Sequence, residues 1–184
     1  PMKDNEGWFK ALMPYTARRF VPEGAVLTDA DAVRVLYVQL LERKVSSAGE
    51  FEAWVLDRSE LDAALGQAGS VLYIEMTCAT DDSAKAKAFQ DFVENVEPVV
   101  KPLAHRLNER FLQLNREYPL SVARYQVHAR STQAAVELFV DKNVPLETQV
   151  SLLSQEYQAA CGAMMVDFDG KERTLPEMGK FLLE

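Results

Sequence analysis

LETQVSLLSQEYQAACGAMMVDFDGKERTLPEM, Leu146 to Met178, changes its period in the middle. Through the first half Leu146, Val150, Leu153, Tyr157 and Cys161 recur three or four residues apart, the spacing of one helix face. That stripe reads as the buried side of a helix that Pro145 opens and Gly162 ends. From Ala163 the period drops to two. Met164, Val166 and Phe168 alternate with Met165, Asp167 and Asp169, as side chains do along a strand. Asp169-Gly170 supplies two residues that tolerate positive φ, which a two-residue hairpin turn requires. Lys171 to Thr174 returns as the partner strand. Thr174 and Glu177 are spaced as a capping box, and Leu175, Met178, Phe181 and Leu182 begin an amphipathic helix. The predicted fold is mainly α: a multi-helix, bundle-like lobe with one C-terminal β-hairpin at about 163–174.

A lone two-stranded hairpin is marginal in water, and a helix of about ten residues cannot hold itself. The reading expects these elements to pack on further structure, so that the chain is the front part of something longer.

Upstream, helices follow one another. Thr28 is placed as an N-cap with Asp31 behind it, ahead of the stripe Val33, Leu36, Tyr37, Leu40 and Leu41. Ser47 with Glu50 is a second start, Ser59 a third, and Asp82 or Ser83 a fourth. Pro98 and Pro102 stand inside the fourth helix, where each removes a donor and crowds the turn before it, so a kink or break is expected near Glu97. Another helical stretch runs from Pro119 to about Val140, interrupted at Arg130-Ser131. Residues 1–24 carry Trp8, Phe9, Tyr15 and Phe20 around Pro14 and Pro22. They read as an N-terminal arm packed by its aromatics, leaving 25–184 as one helical lobe.

Composition narrows the function classes. The formal charge of −8 argues against a nucleic-acid partner, because phosphate binding needs a basic surface, and equally against docking on an anionic membrane. Neither nucleic acid nor membrane is an expected partner. Cys78 and Cys161 lack CxxC spacing, and the N-terminus has no signal-like apolar run. Both observations fit a reduced, cytoplasmic protein.

The search for chemistry yields no constellation. The two histidines, His105 and His128, are too far apart for His-Glu-x-x-His. His105 and Glu109, one turn apart, read as a surface ion pair rather than half a metal site. His128, between basic residues, reads as structural. Cys161 reads as core, and the pairs Asp81-Asp82 and Asp167/Asp169 as helix-start and turn residues. No catalytic, cofactor-binding or metal-binding residue is assigned. A small metal enzyme built on His105, Glu109 and His128 is the weakest alternative.

Several stretches together resemble one family: RRFVPEG (18–24), AWVLDRSEL (53–61), YIEMTCATDD (73–82), EPVVKPL (97–103) and above all LFVDKNVPLETQVSLLSQEYQAACGAMMVDFDGKERTL (138–175). They are similar to the oligoendopeptidase F branch of the thimet-oligopeptidase family of zinc metallopeptidases. Met165 and Cys161 stand where that resemblance leads one to expect polar residues. The resemblance implies a non-catalytic N-terminal lobe facing a catalytic lobe of the same chain across a channel that admits short peptides. Zinc and its His-Glu-x-x-His ligands are expected in that other lobe, not in this segment, which should be inactive alone. A free-standing helical protein-interaction module is the alternative. Exposed apolar surface at the C-terminal end predicts self-association of the isolated chain, as a homodimer.

Overall fold

A computed structural model describes residues 18–182. The order of elements is α1 (Ala30–Glu42), α2 (Ala48–Cys78), α3 (Ser83–Asp91), a π-helical turn (Phe92–Val96), α4 (Glu97–Glu117), α5 (Val122–Leu138), α6 (Asn143–Gly162), β1 (Met165–Phe168), β2 (Lys171–Thr174), α7 (Leu175–Met178) and a 3-10 turn (Gly179–Leu182). The fold is mainly α with a single two-stranded antiparallel hairpin among the described residues, as the period change predicts. No helix among those residues is long and apolar enough to cross a membrane.

The core forms where α1, α2 and α4 meet. Val33, Leu36, Tyr37 and Leu40 project from α1, Phe51, Trp54 and Leu61 from α2, and Leu107 and Phe111 from α4. Each set repeats at helical spacing, so each helix contributes one apolar side. Trp54 is buried but not orphaned: its Nε1–H donates to the Leu40 carbonyl at 2.9 Å. Phe51 links Trp54 to Phe111, with ring centroids 6.0 and 5.4 Å apart. Arm residues from Arg18 onward join this core through Phe20 and Val21. Trp8 and Tyr15, to which the sequence assigns a packing role, lie outside the described residues.

Local starts and stops depart from the sequence reading in specific places. Asp29, not Thr28, caps α1, its carboxylate accepting from Ala32 N at 2.8 Å. Ser47 caps α2 as expected, but Glu50 turns its carboxylate to the amide and hydroxyl of Ser46, both at 2.7 Å. Ser59 starts nothing. The helix runs through it for 31 residues, because the face carrying Phe51, Trp54, Val55, Leu61 and Ala64 stays buried on both sides of Ser59. Asp82 caps α3.

The irregularity expected near Glu97 sits just upstream. The chain widens into a π turn at Phe92–Val96, and Glu97 N–H reaches back to Phe92 O. Pro98 then lies in the first turn of α4, where its missing donor costs least, and only Pro102 interrupts the interior. Helix α5 is continuous through Arg130-Ser131, where Thr132 is buried.

The C-terminal end follows the period change. Met165 pairs with Thr174, and Phe168 with Lys171. Asp169 and Gly170 take φ of 52° and 69°, the geometry that makes Asp-Gly a hairpin turn. Thr174 and Glu177 form the complete capping box. The hairpin packs on the terminal turn through Phe168 and Phe181, 4.9 Å apart, with Arg173 over the Phe181 ring.

Candidate functional site

Two surfaces stand out. The first is a groove of about 510 Å³ between α2 and the π turn with α4. Phe92, Val96 and Val100 form its apolar side, Gly66 and Gly69 its flat one, and Asp62, Glu97 and Lys101 its charged rim. Its depth rests on glycine. A Cβ on Gly69 would come 3.0 Å from the Phe92 ring, so a side chain there would require the ring to give by a few tenths of an ångström.

Charge is concentrated at one end of the groove. Arg58 is buried, with Nη2 donating to Asn108 Oδ1 at 2.5 Å and Nε 3.5 Å from Asp62. Tyr37 donates its hydroxyl to Asp62 at 3.4 Å. Desolvation by its neighbours pushes the Asp62 carboxyl above its ordinary value, against the opposing pull of Arg58, although the side chain stays 47% exposed. Burial, with the Asp62 charge beside it, pushes the Tyr37 phenol far above its usual range. At the other end Lys101 reaches Glu97 at 3.3 Å and Glu147 at 2.8 Å, tying α4 to α6. Desolvation works against the Lys101 ammonium, but these carboxylates outweigh it and raise its pKa.

The second surface is the outer side of α6. Leu146, Val150, Leu153 and Tyr157 are 55%, 62%, 62% and 72% exposed. The sequence reading places this stripe in the core, and the structure places it in solvent. Only Val144 of α6 is buried. The alternating spacing of four, three and four is that of a helix seam seeking another helix. Met164 and Met165 continue the apolar surface into the hairpin and are also exposed.

The residues singled out for chemistry are dispersed. His105 Nε2 lies 3.6 Å from Glu109, the predicted pair, and its ring stacks on Phe139 at 4.1 Å. His128 stands edge-on to Phe111 at 4.7 Å. Desolvation, then the charge of Arg58, holds its pKa below the ordinary histidine value. Among the described residues no three His, Cys, Asp or Glu side chains gather as a metal site. His105, Glu109 and His128 are not brought together as one such group. Cys161 is half-buried beside Tyr157 rather than in the core, and Cys78 is exposed. Asp82 caps α3, Asp167 stands in β1, and Asp169 is the first residue of the hairpin turn. The sequence reading missed the groove. Its signal was Gly66 and Gly69, three apart within a helix, a pattern that costs helix stability and so points to a close approach.

The described surface thus combines an apolar-walled groove, a buried guanidinium beside it, and an apolar helix face. No curated protein and no solved structure matches the chain. A family model does, that of the peptidase M3 N-terminal domain, over residues 25–139, from the residues before α1 through the end of α5. The chain belongs to the peptidase M3 N-terminal domain family.

Proposed function

We propose that this chain serves as the non-catalytic N-terminal lobe of an oligoendopeptidase F-like, zinc-dependent enzyme that hydrolyses short peptides. The lobe shapes the substrate channel, and a catalytic lobe of the same polypeptide supplies zinc and its ligands. Family membership supports the peptidase context. The single observation that carries the docking part is the α6 face, where four large apolar side chains in seam spacing face solvent. Contiguous apolar surface of this kind belongs to an interface. It lies beyond the matched residues 25–139, at the end nearest the expected catalytic lobe.

The test is a polypeptide in which this lobe is followed by its zinc-bearing lobe, assayed on quenched-fluorescence peptides of graded length. Val150→Asp with Leu153→Asp should open the lobe interface, lowering turnover of short peptides or admitting longer ones. Unchanged turnover and length preference would defeat the docking role. A reading frame without a His-Glu-x-x-His segment after Glu184 would favour the free-standing interaction module. Stoichiometric zinc in the isolated chain would contradict the division of labour. Light scattering on that chain reads whether the α6 face instead pairs two copies.

A further inference from the structure

The groove between α2 and α4 holds a carboxylate with capacity to spare. Asp62 lines it, its side chain nearly half exposed. Its two protein contacts are long: the Tyr37 hydroxyl at 3.4 Å and Arg58 Nε at 3.5 Å. An ionised carboxylate accepts at about four lone-pair sites, so Asp62 keeps room for a donor arriving from the groove. Charge points the same way. The carboxylates of Asp62, Glu97 and Glu147 stand along this rim against two cations, Arg58 and Lys101. His128, its pKa lowered by desolvation and then by Arg58, adds no charge at neutral pH. One positive charge is missing from the balance. Lys101 already meets two carboxylates, so the rim has no free cation for an anionic group.

An apolar wall continues from that charge. Phe92, Val96 and Val100 form it, and its first part is the π turn, an irregularity frequent at functional sites. From Asp62 to Gly69 is about 10 Å along α2, the span of about three extended residues. The groove volume of about 510 Å³ is in the range of small-ligand sites. We infer that this groove binds the N-terminal end of a short, unblocked apolar peptide, its α-ammonium on Asp62 and its side chains against Phe92, Val96 and Val100. A lysine side chain offers the same ammonium but only an unbranched stem for the wall. The choice of peptides over other apolar amines rests on the peptide-handling reading above. Binding to the isolated chain tests the groove, whereas turnover of the two-lobe polypeptide tests that reading, so either can fail alone.

The probe is the tripeptide amide Leu-Ala-Phe-NH2, titrated into the isotope-labelled 1–184 chain at about pH 7, where a peptide α-ammonium is mostly protonated. Amide resonances of Gly66, Gly69 and Ser70 should shift and saturate with a Kd of about 0.1–1 mM, ordinary for a ligand of this size. The N-acetylated probe should bind about tenfold more weakly or worse. Asp62→Asn should weaken the unblocked probe by a similar factor and leave the acetylated one unchanged. Gly66→Leu places its side chain where a Cβ meets nothing within 4 Å; it should fill the groove and abolish the shifts while the thermal transition is retained. Equal binding of blocked and unblocked probes would overturn the inference, as would the absence of saturable shifts from either. Tighter binding of N-acetyl-Lys-Ala-NH2 than of the unblocked tripeptide would also overturn it, by assigning the groove to a lysine side chain.

Discussion

Gly69 of α2 lies directly against the ring of Phe92 in the π turn, with 3.0 Å between the position of a Cβ and ring carbon Cε1. Gly66, one turn earlier on the same helix, has nothing within 4 Å of the same position. Gly in a helix interior costs about 1 kcal/mol relative to Ala. Gly66→Ala should therefore stabilise the fold by about 0.5–1 kcal/mol. Gly69→Ala should lose part or all of that gain to the Phe92 ring, which must shift to admit the methyl group. Urea unfolding of the two variants reads the difference, and equal effects would refute the close approach.

Glu60 clips the arm to α2. Desolvation disfavours its carboxylate, but hydrogen bonds from Arg19, Val21 and Phe20, with the charge of Arg18, outweigh that and hold its pKa below the ordinary value. A depressed carboxyl contributes stability that is complete above the unfolded value, about 4.3, and is lost as pH falls through the folded one. Glu60→Gln should weaken the clip by about 1–2 kcal/mol at neutral pH. It should also flatten the acid limb of the stability profile below about pH 4.3. An acid limb identical to that of the parent would show that the three amides do not act on Glu60.

His128 makes a prediction with the same sign in a higher window. Desolvation and Arg58 lower its pKa, and Asp62 opposes them. The fold thus prefers the neutral imidazole, and its contribution is lost as pH falls below about 6.5 through the folded value. Proton NMR should place the His128 midpoint below that value. Asp62→Asn removes the one opposing charge and should move it lower still. An upward movement would mean that Asp62 and His128 do not interact as placed.

Leu107 and Leu153 are the same residue type in opposite environments, fully buried in α4 and 62% exposed on α6. Leu107→Ala should cost about 2–5 kcal/mol. Leu153→Ala should stay within about 0.5 kcal/mol in the isolated chain. A large loss at Leu153 would mean that the α6 face is already covered in solution, and light scattering would then separate self-association from an internal contact.

The sequence by itself determined what depends on neighbours along the chain. The hairpin followed from strict alternation and Asp169-Gly170, the last helix start from Thr174 and Glu177, and the α2 start from Ser47, because turns and caps are closed by side chains within three residues. Tertiary structure decided the rest. Ser59 also offers a capping side chain, yet packing of Phe51, Trp54 and Leu61 on α1 and α4 holds the helix through it. The groove needs Gly69 and Phe92 to meet from separate elements. The stripe of α6 has a regular apolar period, but period fixes only which side chains share a face. Whether that face meets protein or water depends on what lies opposite, and among the described residues nothing in the sequence of α6 itself encodes that neighbour.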